Sequence, residues 1–361
     1  LDPKRERKPS DASYGVCRMG FDAVPKNTIM DDAAAQAARE GRENTDSYKR
    51  EWGAVFSDGN DGYFDVKKLH DNTVADGQLP TIMVKGSATQ DYVLSLDPSY
   101  GMSDVCDHFS MSIYLIDYDS KRLTLVHSYA KAGRSILEHY EYLTYLLKNF
   151  NIVLMVIDAS GSETIDGYNN SSIAKDHNIH LGYLEVDLEL ENEEYTKEIA
   201  KFKNQINKET RNFVYRQPFN SGVNRKMNER LQGAISSNRI AFASKICLHE
   251  RALSFALKFE MPFNFKDHDG EPYTILKFLE DQDDWIGQTK KQIALIQVKI
   301  TATGSHQYDI PAHLKKSTDP KRARRDSYTC LLMANYVMDH YFNMKEWKQE
   351  IVYNNIVPFF I

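Results

Sequence analysis

Between residues 90 and 160 short apolar runs alternate with polar breaks at the spacing of strands and one helix. "DYVLSLD", "HFSMSIYLIDY" and "RLTLVHSY" read as three strands, the last two joined at "DSKR", a spacing that suits an antiparallel meander. "SILEHYEYLTYLLKNF" places Ile136, Leu137, Tyr140, Leu143, Leu146 and Leu147 at helical spacing and runs straight into the apolar "NIVLMVID". Two antiparallel connections followed by a helical crossover to a fourth strand predict a mixed α/β sheet with helices on its faces. "IHLGYLEVDL" is the expected fifth strand.

Beyond it the pattern is mainly helical, in "EEYTKEIAKFKNQIN", "GVNRKMNERLQGAIS", a stretch near "LHERALSFALKF", "PYTILKFLEDQDDWIGQTKKQIALI" and "DSYTCLLMANYVMDHYF". An auxiliary hairpin, "IALIQVKITATGSHQYDIP", interrupts them and is expected to turn at Thr303, Gly304 and Ser305. Residues 1–85 are polar and rich in turn residues, with one expected helix over "MDDAAAQAAREGRENTDSYKREWGAVF", and are read as an N-terminal arm or linker. "DGNDG" within this arm lacks the ligand spacing and closing glutamate of a calcium loop. The main domain is expected over residues 86–361.

Composition narrows the class only a little. No apolar stretch approaches a membrane span. The four cysteines have no CxxC spacing, which argues against a zinc site or a disulfide framework. The start "LDPKRERKPSDASYG" has neither a methionine nor a signal-peptide core and is expected to be the cut end of a longer protein or a processed terminus. A net charge of −6 gives no global nucleic-acid signature. The charge is uneven, however: six acids and no base lie between Glu185 and Glu194, whereas Lys315, Lys316, Lys321, Arg322, Arg324 and Arg325 cluster just before Asp326.

The chemistry lies in three aspartates. "DYVLSLD" stops on Asp97, followed by Pro98 and a turn at Gly101; "IVLMVIDASG" repeats the design at Asp158; and Asp326 opens the last helix, where free amides and the macrodipole favour a carboxylate. Taken singly, each is an ordinary strand-end or capping residue. Together, brought to one sheet edge, they would repel one another unless divalent cations sat between them, and Mg²⁺ takes such hard oxygen ligands. Two ions roughly 4 Å apart can activate a water and stabilise the leaving oxygen of a phosphodiester.

A strand-one Asp, a strand-four Asp and a C-terminal helix Asp, with a meander between the first two, resemble the arrangement of the ribonuclease H-like nuclease superfamily. The ordered set "LSLDPSYG", "LMVIDASG", "NRKMNERLQGAISSNRIAF", "QVKITATGSHQYDIPAH" and "KRARRDSYTCLLMANY" further resembles the nuclease domain of large terminase subunits, the DNA-packaging enzymes of tailed bacteriophages and herpesviruses. The resemblance covers about residues 50–345, since "YKREWGAVFSDGNDGYFDVKKL" is similar to the segment that joins their ATPase to the nuclease.

This resemblance implies a ribonuclease H-like mixed β-sheet flanked by helices, and a metal-dependent endonuclease that cuts concatemeric genomes by two-metal-ion hydrolysis. Asp97, Asp158 and Asp326 would be the catalytic metal ligands for two Mg²⁺ or Mn²⁺ ions, with Asp107, or else Asp104, assisting. The basic run from Lys315 to Arg325 would hold double-stranded DNA. Portal protein and the small terminase subunit would be partners, an ATPase domain would belong to the full-length chain, and the isolated domain would be a monomer without a membrane partner, working in the host cytoplasm at the procapsid. Asp326 lies 168 residues after Asp158 (326 − 158), more than the family implies, so an insertion is expected around residues 247–284. No GxxxxGK[ST] phosphate loop is present, so ATP hydrolysis is not expected of this chain.

Two other readings fit the acids: another ribonuclease H-like nuclease, such as a junction resolvase or transposase-like enzyme, and a non-catalytic docking module of the packaging motor. His313 reads as a surface histidine, and His177 and His180 as structural. "DASGSET" lacks the nucleophile elbow that a catalytic Ser160 or Ser162 would need. Tyr140, Tyr142 and Tyr145 read as core and interface positions.

Overall fold

The computed structural model describes residues 62–190, 192–206, 212–244, 274–301, 305–315 and 322–354. The expected helix in the arm and the stretch around "LHERALSFALKF" lie outside the described residues. Three strands come first, β1 (Tyr92–Asp97), β2 (Phe109–Asp117) and β3 (Arg122–Lys131), preceded by a short helix α1 (Val66–Asp71). Helix α2 (Ile136–Asn149) then crosses over to β4 (Ile152–Asp158). A 3₁₀ turn, Ala159–Gly161, leads into α3 (Ser162–Asn170) and α4 (Ser172–Asp176). After these come β5 (Gly182–Tyr183), α5 (Asn192–Gln205), β6 (Asn212–Gln217), α6 (Ser221–Ser236) and β7 (Ile240–Phe242). The last described elements are α7 (Ile275–Leu295), the strands β8 (Gln297–Ile300) and β9 (His306–Asp309), α8 (Ala312–Lys315) and α9 (Asp326–Asn354).

The main sheet has the order β5-β6-β4-β1-β2-β3-β7. The pairs β1/β2 and β2/β3 are antiparallel, whereas β4 pairs parallel with both β1 and β6. An antiparallel meander continued by parallel strands is the ribonuclease H-like arrangement that the sequence leads one to expect. Strands β8 and β9 form the separate auxiliary hairpin. No helix among the described residues is long and apolar enough to cross a membrane.

Local chemistry accounts for the crossover. Ser135 caps α2 by accepting from the Glu138 amide at 3.3 Å, while Glu138 three positions on completes the capping pattern. The helix buries Tyr140, Tyr142, Leu143, Tyr145 and Leu146, so the tyrosines are core residues. His127 of β3 meets this layer, its Nε2 lying 2.7 Å from the Tyr142 hydroxyl.

Three expectations change. Residues 62–85, assigned from sequence to the arm, belong to the compact unit that begins at Gly62, to which they contribute buried Phe64, Leu69, Ile82 and Val84. The fifth strand is only Gly182–Tyr183, and the place beside β4 goes to β6, in a segment that reads as helical surroundings. Phe213, Val214 and Tyr215 are buried in succession, so β6 offers no alternation to read. The inferred insertion is not separate throughout, because its end, from residue 275, is the start of α7 packed on β3 and α9.

The opposite face of the sheet takes α9. Ser95, Ser112 and Ser128 are direct cross-strand partners, all buried, on the face that also carries Asp97. Side chains this small let a helix approach closely. Cys330 Sγ lies 3.6 Å from the Ser110 carbonyl, and the Ser327 and Ser110 hydroxyls are 3.4 Å apart. Residues 327–338 of α9 are all buried, between β1, β2 and β4 on one side and α5, α6 and α7 on the other. A helix buried all round is a core helix, and its position fixes where Asp326 stands.

Two substitutions test this seating. The Ser95 hydroxyl is buried without a partner. Ser95→Ala is therefore expected to leave stability unchanged or raise it by up to about 1 kcal/mol. Ser95→Leu should lower it by about 1–3 kcal/mol through overpacking against α9. Urea unfolding midpoints check both, and a Ser95→Leu protein as stable as the wild type would contradict the close seating.

Candidate active site

Tyr92 to Leu96 are buried and Asp97 is half-buried, so β1 nears the surface at its final residue, where Pro98 can no longer donate to the ladder. In the parallel pairing Leu96 sits beside Ile157, so Asp97 and Asp158 leave the sheet at the same edge. The two exits touch. A Cβ on Gly161 would lie 2.4 Å from Pro98 Cγ, which requires glycine after Asp158 for the turns to pass. Asp158 itself accepts from the Ser160 amide at 2.7 Å and the Ser160 hydroxyl at 2.8 Å, capping the 3₁₀ turn.

Asp326 arrives on α9 and is buried. Its Oδ2 accepts the His108 amide at 2.8 Å, which ties the helix start to the β1–β2 loop. All three acids line one cavity of about 330 Å³, together with Asp107, His108 and Arg325. Burial, then the negative charges of Asp326 and Asp158, push the Asp97 carboxyl well above the usual range, against weaker opposition from a Thr329 hydrogen bond and the Arg325 charge. Burial raises Asp326 as well, to about 6, while the His108 amide works the other way. His108 is driven down to about 4 by burial and by Arg324, so its imidazole is neutral.

The donor set suits a hard divalent cation: carboxylate oxygens crowded at one edge, with two of the groups disfavouring ionisation in the absence of a counter-charge. Among the described residues, however, no three His, Cys, Asp or Glu side chains are placed to hold a metal ion as they stand. One Asp158 oxygen is held by Ser160 and one Asp326 oxygen by the His108 amide, which leaves the second oxygen of each carboxylate for a cation.

The assisting acids separate. Asp107 lines the cavity but pairs with Arg322 at 2.7 Å. Asp104 is exposed and packs beside Gly133, whose added Cβ would lie 2.4 Å from its Oδ1, and it is not among the residues lining the cavity.

The basic run also divides by role. Lys316 and Lys321 lie outside the described residues. Lys315 pairs with Asp309 on β9. Arg322 donates to the Val105 carbonyl at 3.0 Å as well as to Asp107. Arg324 is buried and donates to the carbonyls of Cys106 at 3.0 Å and Asp104 at 2.7 Å. Two arginines therefore clamp the loop that delivers Asp107 and the His108 amide. Arg325 lines the cavity, 3.5 Å from Asp309, with about half of its side chain exposed at 53%. His313, His177 and His180 are exposed and away from the cavity lining.

Sequence reasoning missed His108, Thr329, Asn224 and Tyr308, all of which line the cavity. Thr329 was within reach, since it lies three residues after Asp326 on one helix face. Asn224 comes from α6 and Tyr308 from β9, and only the folded topology brings them in.

No protein-family model matches the chain, and no curated protein matches its sequence. Among solved structures it is similar to the large terminase nuclease from thermophilic phage G20c with bound magnesium, at 10% identity and a TM-score of 0.38, covering 76% of this chain and 98% of that one. The nuclease domain of the large terminase subunit gp2 of bacterial virus Sf6 is similar at 11% identity and a TM-score of 0.35, covering 76% and 98%. The HK97 bacteriophage large terminase is similar at 10% identity and a TM-score of 0.39, covering 76% of this chain but 43% of its own. The chain spans less than half of the HK97 chain.

Proposed function

We propose that this chain is a metal-dependent DNA endonuclease of the terminase type, hydrolysing phosphodiester bonds to cut concatemeric genomes. The observation that carries the reading is the meeting of Asp97, Asp158 and Asp326, from two strand ends and a helix start, on one cavity where they repel one another. The ordered sequence motifs that resemble terminase nucleases give the reading its substrate. Two Mg²⁺ or Mn²⁺ ions held by Asp97, Asp158 and Asp326 would supply the nucleophilic water and the charge that the leaving oxygen needs.

The protein groups have separate tasks around those ions. Asp326 is held in orientation by the His108 amide, and the Arg322–Arg324 clamp holds the loop from which that amide comes. Arg325, at the cavity, has the planar donor fork that suits a phosphate oxygen. Lys315, Lys316 and Lys321 extend the positive charge along the DNA backbone, which gives binding with little sequence preference. Arg322 and Arg324 join them chiefly by shaping the loop. Asp107, which lines the cavity and pairs with Arg322, would be the assisting acid. In this reading the partners are an ATPase domain, the portal protein and the small terminase subunit, at a procapsid in the host cytoplasm.

Plasmid cleavage tests the activity. With Mn²⁺ the wild type is expected to nick and linearise supercoiled DNA, and Asp158→Ala to lose at least about 100-fold in rate. Cleavage by both proteins alike, or by neither over a range of Mn²⁺ concentrations, would count against the assignment. A preference for four-way junctions over linear duplex would move the protein to the resolvase class.

The raised carboxyls give a second test, and its sign follows from linkage. A carboxyl whose value is raised on folding contributes stability fully below its unfolded value, about 3.9, and loses it as the pH rises through the folded value. For Asp326 that window runs up to about 6, and holding the ionised group there costs the fold on the order of 3 kcal/mol at neutral pH. Asp97 is displaced in the same direction. Without divalent cations, Asp97→Asn is therefore expected to raise the Tm at pH 7.5 by a few degrees. The gain should shrink towards pH 4, and Mn²⁺ should stabilise the wild type more than the variant. A lower Tm for Asp97→Asn at pH 7.5 would contradict the electrostatic account.

A further inference from the structure

A second cavity, of about 750 Å³, lies well away from the three acids, beside the later part of α9. His340 on its wall is 14 residues beyond Asp326 (340 − 326), on the order of 20 Å along the helix. Four cations reach it from separate places: Lys121 in the β2–β3 turn, Lys226 and Arg230 on α6, and Arg239 ahead of β7. Two acids oppose them. Arg239 pairs with Asp339 at 3.1 Å, and Lys226 stands 3.9 Å from Glu189.

Arg230 is held differently. Its guanidinium lies 4.5 Å from the centroid of the Tyr336 ring, and its Nη1 is 3.0 Å from Nε2 of His340. Guanidinium only donates, so that imidazole nitrogen accepts. The ring proton then sits on Nδ1 and is donated to the Tyr195 hydroxyl at 2.7 Å. Burial, with the nearby charges of Arg230 and Lys226, drives His340 down to about 3, so the acceptor carries no charge. No carboxylate among the described residues pairs with Arg230. An aromatic face and a neutral imidazole therefore orient a cation that Asp339, on the same wall, balances in part, and among the described residues no hydrogen bond takes its Nε or Nη2 hydrogens.

A planar fork of this kind matches a phosphate, which accepts two parallel hydrogen bonds from it. The volume falls in the range of small-molecule pockets, and Tyr195, the one of its three aromatic lining residues that is not buried, gives it a ring on which a base can lie. We propose that this cavity is a mononucleotide site, with Arg230 binding the 5′-phosphate, Lys121 adding charge from the β2–β3 turn, and the Tyr195 ring receiving the base. The site is independent of the nuclease reading, because none of its lining residues borders the acid cavity.

Calorimetric titration of the whole chain in EDTA tests it, with deoxyadenosine 5′-monophosphate, deoxyadenosine, inorganic phosphate and a short DNA duplex as separate probes. The monophosphate is expected to bind with a Kd below about 1 mM, more tightly than inorganic phosphate, and the nucleoside not at all. Arg230→Gln should weaken it at least about tenfold and Lys121→Gln about two- to fivefold, while Asp158→Ala binds as the wild type does. Thermal melting confirms that each variant is folded; should Arg230→Gln not fold, Lys121→Gln decides. Unchanged binding in the deciding variant, loss of binding in Asp158→Ala, equal affinity for phosphate and monophosphate, or binding of the duplex alone would each overturn the assignment.

Discussion

The repulsion among Asp97, Asp158 and Asp326 is the constraint around which this domain is organised. A fold that brings three acids to one edge gives up stability there, and the rest of the structure must hold them despite it. Burial makes the conflict sharper, because removing water raises the cost of each negative charge. The scaffold answers with rigidity: two parallel strands in register, a helix whose residues 327–338 are all buried, and a loop fastened by two arginines.

Each of these devices depends on unobtrusive residues. The serines facing α9 supply no chemistry, yet their size lets the helix lie close to the sheet and sets the depth of Asp326. Gly161 allows two strand exits to pass at contact distance, so that Asp97 and Asp158 emerge side by side. Arg324 is buried under the loop and directs its guanidinium to backbone carbonyls. Its charge serves the geometry of the loop. The same helix that carries Asp326 at its start carries Tyr336 and His340 further on, so one core element bears both cavities.

Much of this was legible in the chain, for identifiable reasons. The meander, the crossover helix and the strand-end acids follow from period-two and helical patterns with clear punctuation at Pro98 and Gly161. Strand β6 was not legible, because Phe213, Val214 and Tyr215 are covered on both faces and lie between charge-rich helical segments. The arm was drawn too long, since the apolar residues of 62–85 are sparse and find their partners far along the chain, as where the Tyr63 amide donates to the Ile296 carbonyl at 2.6 Å. Arg322, Arg324 and Arg325 look equivalent in a basic run, and only the folded loop assigns two of them to backbone carbonyls and one to the cavity. His108 enters through its amide, a contribution that no side-chain pattern records.

The central claim is that the three acids form a cage for a pair of metal ions. Anomalous diffraction from crystals of the chain soaked in Mn²⁺ tests it most directly. The account predicts two manganese peaks roughly 4 Å apart between Asp97, Asp158 and Asp326. Manganese absent from that cavity at saturating concentration, or bound only elsewhere on the surface, would contradict it.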